Sequence, residues 1–158
     1  MNNLEIYSLL FQAIEKDDSR MFQENFDKLQ PVDSLVVSEM FCQAVLAGNP
    51  NIVQFLIDRD IDVDQKDDEG CAPLHLAVKN NHIEVFQQLI DSGANVHVKD
   101  NVGCSVFQWA CLKGHLPIIK QLLAKKVDIH TRDHIGCSPL HEAAEKGHLW
   151  IVETLIEK

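Results

Sequence analysis

Apolar positions along the chain follow a helical period in some segments and an extended pattern in others. The segment HIEVFQQLIDSG carries four apolar residues on one face of a predicted helix: Ile83, Phe86, Leu89 and Ile90. The segment before it, APLHLAVKNN, has Pro73 just inside a helix start, where a missing N–H costs little. Gly93 follows the second helix at a position that favours a left-handed residue, and ANVHVKDNVG is typical of an extended arm. The pattern therefore predicts a unit of two helices followed by an arm.

The same unit recurs along the chain at a fixed step of 33 residues. Glycines, cysteines and histidines each form a column at this step: Gly70, Gly103 and Gly136; Cys71, Cys104 and Cys137; His82, His115 and His148. Small and apolar residues keep the step too: Ala44, Ala77, Ala110 and Ala143; Leu56, Leu89, Leu122 and Leu155. A period of this length, held in many columns, predicts a stack of repeated units whose neighbours bury a continuous core.

Two near-complete signatures lie in this register. GCAPLHLAVKNNH and GCSPLHEAAEKGH match the pattern G-x-T-P-L-H-x-A-A-x-x-G-H, and the chain therefore resembles the ankyrin-repeat family. GCSVFQWACLKGH is a looser copy, and VSEMFCQAVLAGNP is a degenerate one. The resemblance implies an all-α fold, an ankyrin-repeat solenoid of about five repeats, in which each repeat is a helix–turn–helix with a β-hairpin arm.

The register divides residues 1–158, taken as a single domain, into consecutive repeats. Residues 1–33 keep two amphipathic helices but drift from the step, and we interpret them as a degenerate N-terminal cap repeat. The remaining parts are a degenerate repeat at 34–66, clear repeats at 67–99 and 100–132, and a C-terminal repeat at 133–158. A terminal repeat needs a polar outer face, whereas this one carries Trp150 and Ile151, so the hypothesis of a truncated array stays open.

The turn after the second helix does not carry glycine in every repeat. The register places Asp60 and Lys126 at the left-handed position that Gly93 occupies in the third repeat. Asp adopts a left-handed conformation at modest cost, whereas Lys loses roughly 1 kcal/mol there. We therefore expect the repeat at 34–66 and the turn at 124–128 to be the less stable parts of the array.

The charge balance narrows the class of partner. Lys and Arg number 14 and Asp and Glu 24, for a formal net charge of −10. Nucleic acids and anionic membranes are therefore not expected partners, whereas a protein with a basic surface is. No apolar run is long enough to span a membrane, and the N-terminus lacks the pattern of a signal peptide. Five cysteines without a secretion signal indicate free thiols in a reducing, cytoplasmic location.

One acidic stretch raises the alternative of a calcium site. DRDIDVDQKDDEG has the oxygen-ligand spacing of an EF-hand loop, through Asp58, Asp60, Asp62, Asp64 and Glu69. Two positions argue against calcium, because Val63 stands where the loop needs glycine and Gln65 where it is normally apolar. The stretch also aligns with the arms at 91–103 and 124–136. It is therefore interpreted as a solvated arm with additional negative charge.

Cysteine and histidine pairs raise the alternative of a zinc site. Two such pairs share one spacing: Cys71 with His75, and Cys137 with His141. Packed helices lie roughly 8–10 Å apart, so the two pairs are on the order of 20 Å from each other, whereas zinc ligands lie about 2.0–2.3 Å from the metal. The family resemblance instead assigns a structural role to the histidines, in hydrogen bonding for His75 and His141 and at helix starts for His82, His115 and His148.

No catalytic motif is present in the sequence. The chain has no G-x-S-x-G elbow, no P-loop and no dinucleotide-binding glycine pattern. Cys111 and His115 lie one helical turn apart, but Cys111 fills a small, buried position of the repeat, where a cysteine packs as an apolar residue. The chain is therefore expected to be non-enzymatic and to carry no metal and no cofactor.

Ankyrin arrays recognise partners through first-helix faces and arm tips, which line a concave surface, and the resemblance implies the same places here. The first-helix positions are Gln43, Leu46, Leu76, Lys79, Trp109, Leu112, Glu142 and Glu145. The arm positions are Asp67, Asp68, Glu69, Lys99, Asn101, Arg132 and His134. Trp109 has two interpretations, which are contact with a partner and packing back onto neighbouring helices.

The expected function is therefore the binding of another protein by a monomeric, cytoplasmic module. The predicted contact surface is an acidic rim around an apolar stripe formed by Leu46, Leu76, Trp109 and Leu112. One hypothesis is an adaptor or scaffold, or a bacterial effector. The alternative is an immunity or inhibitor protein that neutralises a basic toxin or enzyme by direct binding, which the negative charge permits.

Overall fold

The computed structural model describes residues 2–29 and 33–158, and its regular structure is helical, which confirms the all-α prediction. In chain order the helices are α1 Asn3–Glu15, α2 Ser19–Phe26, α3 Ser34–Ala47, α4 Pro50–Ile57, α5 Pro73–Lys79, α6 Ile83–Asp91, α7 Val106–Lys113, α8 Leu116–Ala124, α9 Pro139–Glu145 and α10 Leu149–Ile156. Met1 and residues 30–32, which belong to the predicted N-terminal cap, lie outside the described residues. No helix in the described ranges has both the length and the apolar character required to cross a membrane.

The helices stack in consecutive pairs. Within the pairs, α1 packs on α2, α3 on α4, α5 on α6, α7 on α8 and α9 on α10. Between pairs, first helices contact first helices, from α1–α3 through α7–α9, and second helices contact second helices, from α2–α4 through α6–α8. Each pair therefore packs against its neighbours along the chain, as in a helical solenoid.

Helix starts and ends follow the capping residues of the repeat. Ser105 and Ser138 each accept a hydrogen bond from the backbone N–H three residues on, as N-cap side chains do. Pro73 and Pro139 occupy the first helical position, where the missing N–H has no helical acceptor to lose. Gly114 ends α7 in the left-handed conformation, with φ of 75°. The predicted helix start at Pro73 is confirmed.

The core is built from the apolar columns of the repeat. The buried side chains of the middle repeats include Phe41, Leu74 and Phe107 of the first helices and Leu56, Leu89 and Leu122 of the second helices. Burial of one such side chain stabilises the fold by roughly 1.5–3 kcal/mol. Leu140 belongs to the column of Phe107 but is 36% exposed, because no helix pair packs on the outer side of α9 within the described residues.

The arms are formed by turns, with a single antiparallel bridge between Lys99 and Ser105 within the described residues. Three aspartates at the repeat step organise these turns: Asp67, Asp100 and Asp133 accept the backbone N–H of the residue four positions on, at 2.8, 2.9 and 2.8 Å. Because the aspartate side chains accept these backbone N–H groups, the same groups are not available for hydrogen bonds between the strands of a β-hairpin. The arms are therefore compact turns that connect the helix pairs, rather than the long ladders that the name hairpin suggests.

Left-handed residues follow the second helices at the predicted places. The backbone φ angle is 88° at Gly93, 58° at Asp60 and 56° at Lys126. A side chain in this conformation costs roughly 1–2 kcal/mol relative to glycine, and less for Asp than for Lys. The predicted left-handed conformation is confirmed at all three positions, and Lys126 carries the largest expected strain.

Candidate functional site

An open groove with a volume of about 550 Å³ lies between α3, the arm at 65–69 and the first turn of α5. We refer to it as the acidic groove. Six residues predicted from the sequence line it: Gln43, Leu46, Asp67, Asp68, Glu69 and Leu76. Leu46 is half-buried and Leu76 buried, so these apolar side chains form the floor. The structure therefore brings first-helix and arm positions of two neighbouring repeats together.

Further residues that the sequence reasoning missed complete the lining of the acidic groove. They are Leu35, Ser38, Glu39, Cys42, Gln65 and Lys66. The first four lie on α3 at spacings of three and four residues, on the helix face that Leu46 continues. This spacing of three and four residues could have identified the four side chains in the sequence. The repeat register identifies only Gln43 and Leu46 on this helix.

The rim of the acidic groove carries more negative than positive charge. Four carboxylates stand on it, those of Glu39, Asp67, Asp68 and Glu69. The ammonium group of Lys66, a cation on the same rim, donates to the backbone carbonyl of Lys99 at 2.6 Å and is thereby directed towards the next arm. One oxygen of Asp67 accepts the N–H of Cys71 at 2.8 Å and holds the turn. The groove therefore suits a ligand that brings positive charge.

Trp109 lies on α7, outside the acidic groove. Its indole N–H donates to a carboxylate oxygen of Asp100 at 3.0 Å, and its ring meets that of His75 edge-on with 6.0 Å between centroids. The side chain packs against the core and is only partly buried, so part of it stays accessible to solvent. Lys79 is exposed and Leu112 half-buried, and neither lines the groove. Packing onto neighbouring residues, one of the two interpretations of Trp109, explains its contacts with Asp100 and His75. Contact of Trp109 with a partner stays a prediction.

Arm residues predicted to touch a partner also connect neighbouring arms. The ammonium group of Lys99 donates to the carbonyl of Arg132 at 3.0 Å, and the side-chain amide of Asn101 donates to the carbonyl of Asp68 at 3.2 Å. His134 likewise donates its backbone N–H to a carbonyl of the preceding arm, at 3.0 Å. The side chains of Lys99 and Asn101 and the backbone of His134 therefore hold the arms in register, a role that the sequence reasoning did not assign to these residues.

His75 is fully buried and uses both ring nitrogens. Nδ1 accepts the N–H of Ala72 at 3.2 Å, and Nε2 lies 3.2 Å from the carbonyl oxygen of Cys104 in the next repeat. Because Nδ1 accepts, Nε2 carries the proton and donates, so the ring is neutral. Burial lowers the pKa of His75 below its usual 6.5. This geometry gives the histidine the structural role that the family resemblance implies.

Histidines before the second helices connect consecutive repeats. Nε2 of His82 lies 2.8 Å from the carbonyl oxygen of Leu46, and Nε2 of His148 lies 3.2 Å from that of Leu112. These carbonyls are at the ends of α3 and α7, where no intrahelical donor remains. Nε2 of His115, the middle member of this column, is buried without a hydrogen-bond partner within the described residues, so only His82 and His148 make this connection.

Comparison with known families agrees with this periodic geometry. A family model described as ankyrin repeats (3 copies) matches residues 10–100 and 87–158. The chain belongs to the ankyrin-repeat family. No curated protein matches it. Ankyrin repeats are in general non-enzymatic protein-interaction modules, so the partner of this ankyrin-repeat chain is another protein.

The ankyrin array also brings three potential metal ligands together. One ligand atom each of Cys104, Asp133 and Glu142 lies within 4.8 Å of the others, and this is the one such group within residues 2–29 and 33–158. Burial, followed by the charges of Asp100 and Asp133, raises the pKa of the Cys104 thiol to about 12, so it is protonated at neutral pH. Burial also raises the pKa of Glu142. The protonated thiol donates a hydrogen bond to a carboxylate oxygen of Asp133 at 3.6 Å, so the three side chains form an acidic cluster with an internal hydrogen bond.

Proposed function

We propose that this ankyrin-repeat chain binds a partner protein without catalysing a reaction, and that the acidic groove is the centre of the contact. The proposal rests on one observation, the combination of an apolar floor and an acidic rim in a single open groove. Apolar contact supplies affinity, while rim carboxylates select a basic partner and accelerate its association. Other predicted first-helix and arm positions would extend the contact along the array, namely Lys79, Trp109, Leu112, Glu142, Lys99, Asn101, Arg132 and His134.

The partner that fits this surface presents lysine or arginine side chains beside apolar ones. The net charge of −10 repels acidic proteins and attracts basic ones over distances longer than a contact. In this proposal the chain acts as a monomer in the cytoplasm, where its five unpaired cysteines stay reduced. Two roles are compatible with such binding: an adaptor, scaffold or effector, and an immunity or inhibitor protein that neutralises a basic toxin or enzyme.

The acidic groove is tested with a double variant that removes two rim charges, Asp68→Asn with Glu69→Gln. Both side chains are exposed and make no hydrogen bond or ion pair within the described residues, so the fold should be retained. Against a basic partner recovered by affinity capture and purified, the association rate is expected to fall about tenfold at low salt, with a weaker salt dependence. Stopped-flow mixing across a salt series measures both quantities.

The matched control changes the net charge by the same amount elsewhere. Glu84→Gln with Glu153→Gln neutralises two exposed carboxylates on α6 and α10, away from the acidic groove. Its association rate should stay close to that of the unmodified chain. An equal loss of rate in the two double variants would show that net charge alone steers the partner, and it would contradict the proposal. A captured toxin or enzyme that loses its activity on binding would favour the inhibitor role over the adaptor role.

A further inference from the structure

The first helix of the second repeat extends into a part of the repeat that is a turn elsewhere. α3 has 14 residues, whereas α5, α7 and α9 have 7, 8 and 7. The repeat register aligns residues 34–37, the first turn of α3, with the arm tips at 67–70, 100–103 and 133–136. The register neighbour of the arm tip at 67–70 is therefore a helix and not another arm tip, and the acidic groove lies between the two.

Backbone hydrogen bonds between neighbouring arm tips also follow the register. The N–H of Asn101 donates to the carbonyl of Glu69 at 3.2 Å, and the N–H of His134 donates to the carbonyl of Val102 at 3.0 Å. Asp68 holds the equivalent place in the tip beside α3, but its N–H has no acceptor within the described residues. The equivalent carbonyl belongs to a residue of α3, where carbonyls accept helical N–H groups instead. The edge of this arm tip therefore presents an unused donor to the acidic groove.

Lysine side chains connect the arms in the opposite direction. The ammonium group of Lys66 donates to the carbonyl of Lys99 at 2.6 Å, and that of Lys99 donates to the carbonyl of Arg132 at 3.0 Å. The carbonyl of Lys66 itself receives no hydrogen bond within the part of the chain that the structure describes. The register counterpart of the donor is Asp33, whose carboxylate accepts the N–H of Leu35 and caps α3. The arm beside α3 therefore also presents an unused acceptor.

The two unused groups define what a ligand of the acidic groove must bring. In the contacts between arms, the lysine and the accepting carbonyl of the preceding arm are three residues apart, as Lys66 and Glu69 are. The four rim carboxylates add a preference for positive charge. Leu35, which is 77% exposed on α3, adds apolar surface to the floor formed by Leu46 and Leu76. A matching ligand therefore combines a cation, a free backbone carbonyl and an apolar side chain within a few residues.

We propose that the acidic groove receives an exposed linear segment of the partner protein, in which a lysine or arginine lies three residues before the carbonyl that accepts the N–H of Asp68. The cation of this segment donates to the carbonyl of Lys66 and is attracted by the rim carboxylates. An apolar side chain of the segment packs on Leu46 and Leu76. This inference rests on the proposed function and specifies the kind of structure that enters the acidic groove.

A helix of the partner would meet these backbone groups less well. Carbonyls inside a helix accept the N–H four residues on, so only those of its last turn are free. Each residue of a linear segment, in contrast, carries a free carbonyl and can follow the register of the contacts between arms. Backbone hydrogen bonds combined with contacts for individual side chains are a general mode of recognition of extended peptides. The basic partner is therefore expected to bind by a tail or an exposed loop.

The probe in the test is a phage-displayed library of random linear dodecapeptides, selected on the full chain. Enriched peptides are expected to share a lysine or arginine close to an apolar residue, and each is then synthesised with blocked termini. Alanine in place of the basic residue should weaken binding about tenfold in calorimetric titration. By NMR, the Asp68 amide of the free chain should be roughly tenfold less protected from hydrogen exchange than the amides of Asn101 and His134, and peptide binding should protect it.

Two substitutions of Asp68 separate its N–H from its carboxylate. Gly70 donates its N–H to the carbonyl of Asp67 at 2.9 Å, so Asp68 is the second residue of a β-turn, a position that proline favours. Asp68→Pro removes the carboxylate and the N–H, whereas Asp68→Ala, the matched control, removes the carboxylate alone. Asp68→Pro should bind the selected peptide about tenfold more weakly than Asp68→Ala, because only proline lacks the backbone donor. Amide exchange in the unmodified chain tests the same N–H without any substitution.

The outcomes distinguish the linear segment from the acidic groove itself. Equal peptide affinities of Asp68→Pro and Asp68→Ala would overturn the inference, as would an Asp68 amide that is as protected in the free chain as that of Asn101. A library that yields no peptide protecting the Asp68 amide would reject the linear segment. If Asp68→Asn with Glu69→Gln then still slows association of the captured partner, the acidic groove remains the contact site for a folded surface. An association rate that this double variant leaves unchanged would reject the proposed function as well.

Discussion

His75 and Gln108 show that one place in the repeat requires an acceptor and a donor rather than an imidazole. Nδ1 of His75 accepts the N–H of Ala72 at 3.2 Å, and the side-chain oxygen of Gln108 accepts that of Ser105 at the same distance. The other nitrogen of each side chain reaches a carbonyl in the next repeat, at 3.2 and 2.9 Å. The two residues therefore do the same structural work, but only the histidine can take up a proton.

A pH dependence of stability follows from His75. Burial lowers its pKa in the folded protein below the usual 6.5, so acid protonates the unfolded chain first. The stabilising contribution is complete above pH of about 6.5 and is lost as the pH falls through the folded pKa, by at most about 1.4 kcal/mol per pH unit. His75→Gln should therefore lose less free energy of unfolding between pH 7 and pH 5 than the unmodified chain. Urea unfolding at both pH values measures the difference, and equal acid losses would show that His75 does not titrate in this way.

Trp109 combines a structural contact with a predicted binding role, and two variants separate them. Trp109→Ala is expected to weaken partner binding by about 2 kcal/mol, because large aromatic side chains dominate interface energies. Trp109→Phe keeps a ring but removes the N–H that binds Asp100, which costs about 1 kcal/mol of stability. Calorimetric titration with the purified partner and urea unfolding report the two effects. Unchanged affinity in Trp109→Ala would remove Trp109 from the binding surface.

At the level of single elements, the turn after α8 contains the clearest backbone strain. Lys126 has φ of 56°, at the position where Gly93 has 88°. Lys126→Gly should therefore raise the free energy of unfolding by roughly 1 kcal/mol. Lys125→Gly is the control, since Lys125 has an ordinary φ of −81° and glycine there only adds freedom to the unfolded chain. Urea midpoints measure both changes, and a lower midpoint in Lys126→Gly would mean that the turn is not strained.

Helices were more predictable from the sequence than arms, for a physical reason. Helix positions repeat an apolar face and carry Pro73 or a capping serine, so their signals are local. The arms depend on where aspartate side chains direct their oxygens, as Asp100 does toward Cys104, and no spacing rule expresses that choice. The β-hairpin expectation therefore described the connectivity of the arms but little of their hydrogen bonding.

At the scale of the whole molecule, the candidate site was predictable only as a set of separate positions. The repeat register placed Gln43 and Leu46 on a first helix and Glu69 on an arm, but it contains no information about the space between them. The groove exists because an arm lies beside α3 of the preceding repeat, which adds Leu35 and Glu39 to its lining. Side chains that meet across a boundary between repeats cannot be found from one repeat alone.

Packing only between neighbours has a mechanical consequence. Each helix pair packs mainly against the pairs before and after it. A force that pulls the two ends apart would therefore not act on a single central core. It would detach the array one repeat after another. Each detachment would release about 110 Å of chain, given 33 residues at roughly 3.3–3.6 Å per residue. Under tension the molecule would therefore lengthen in discrete steps, one for each repeat that unfolds.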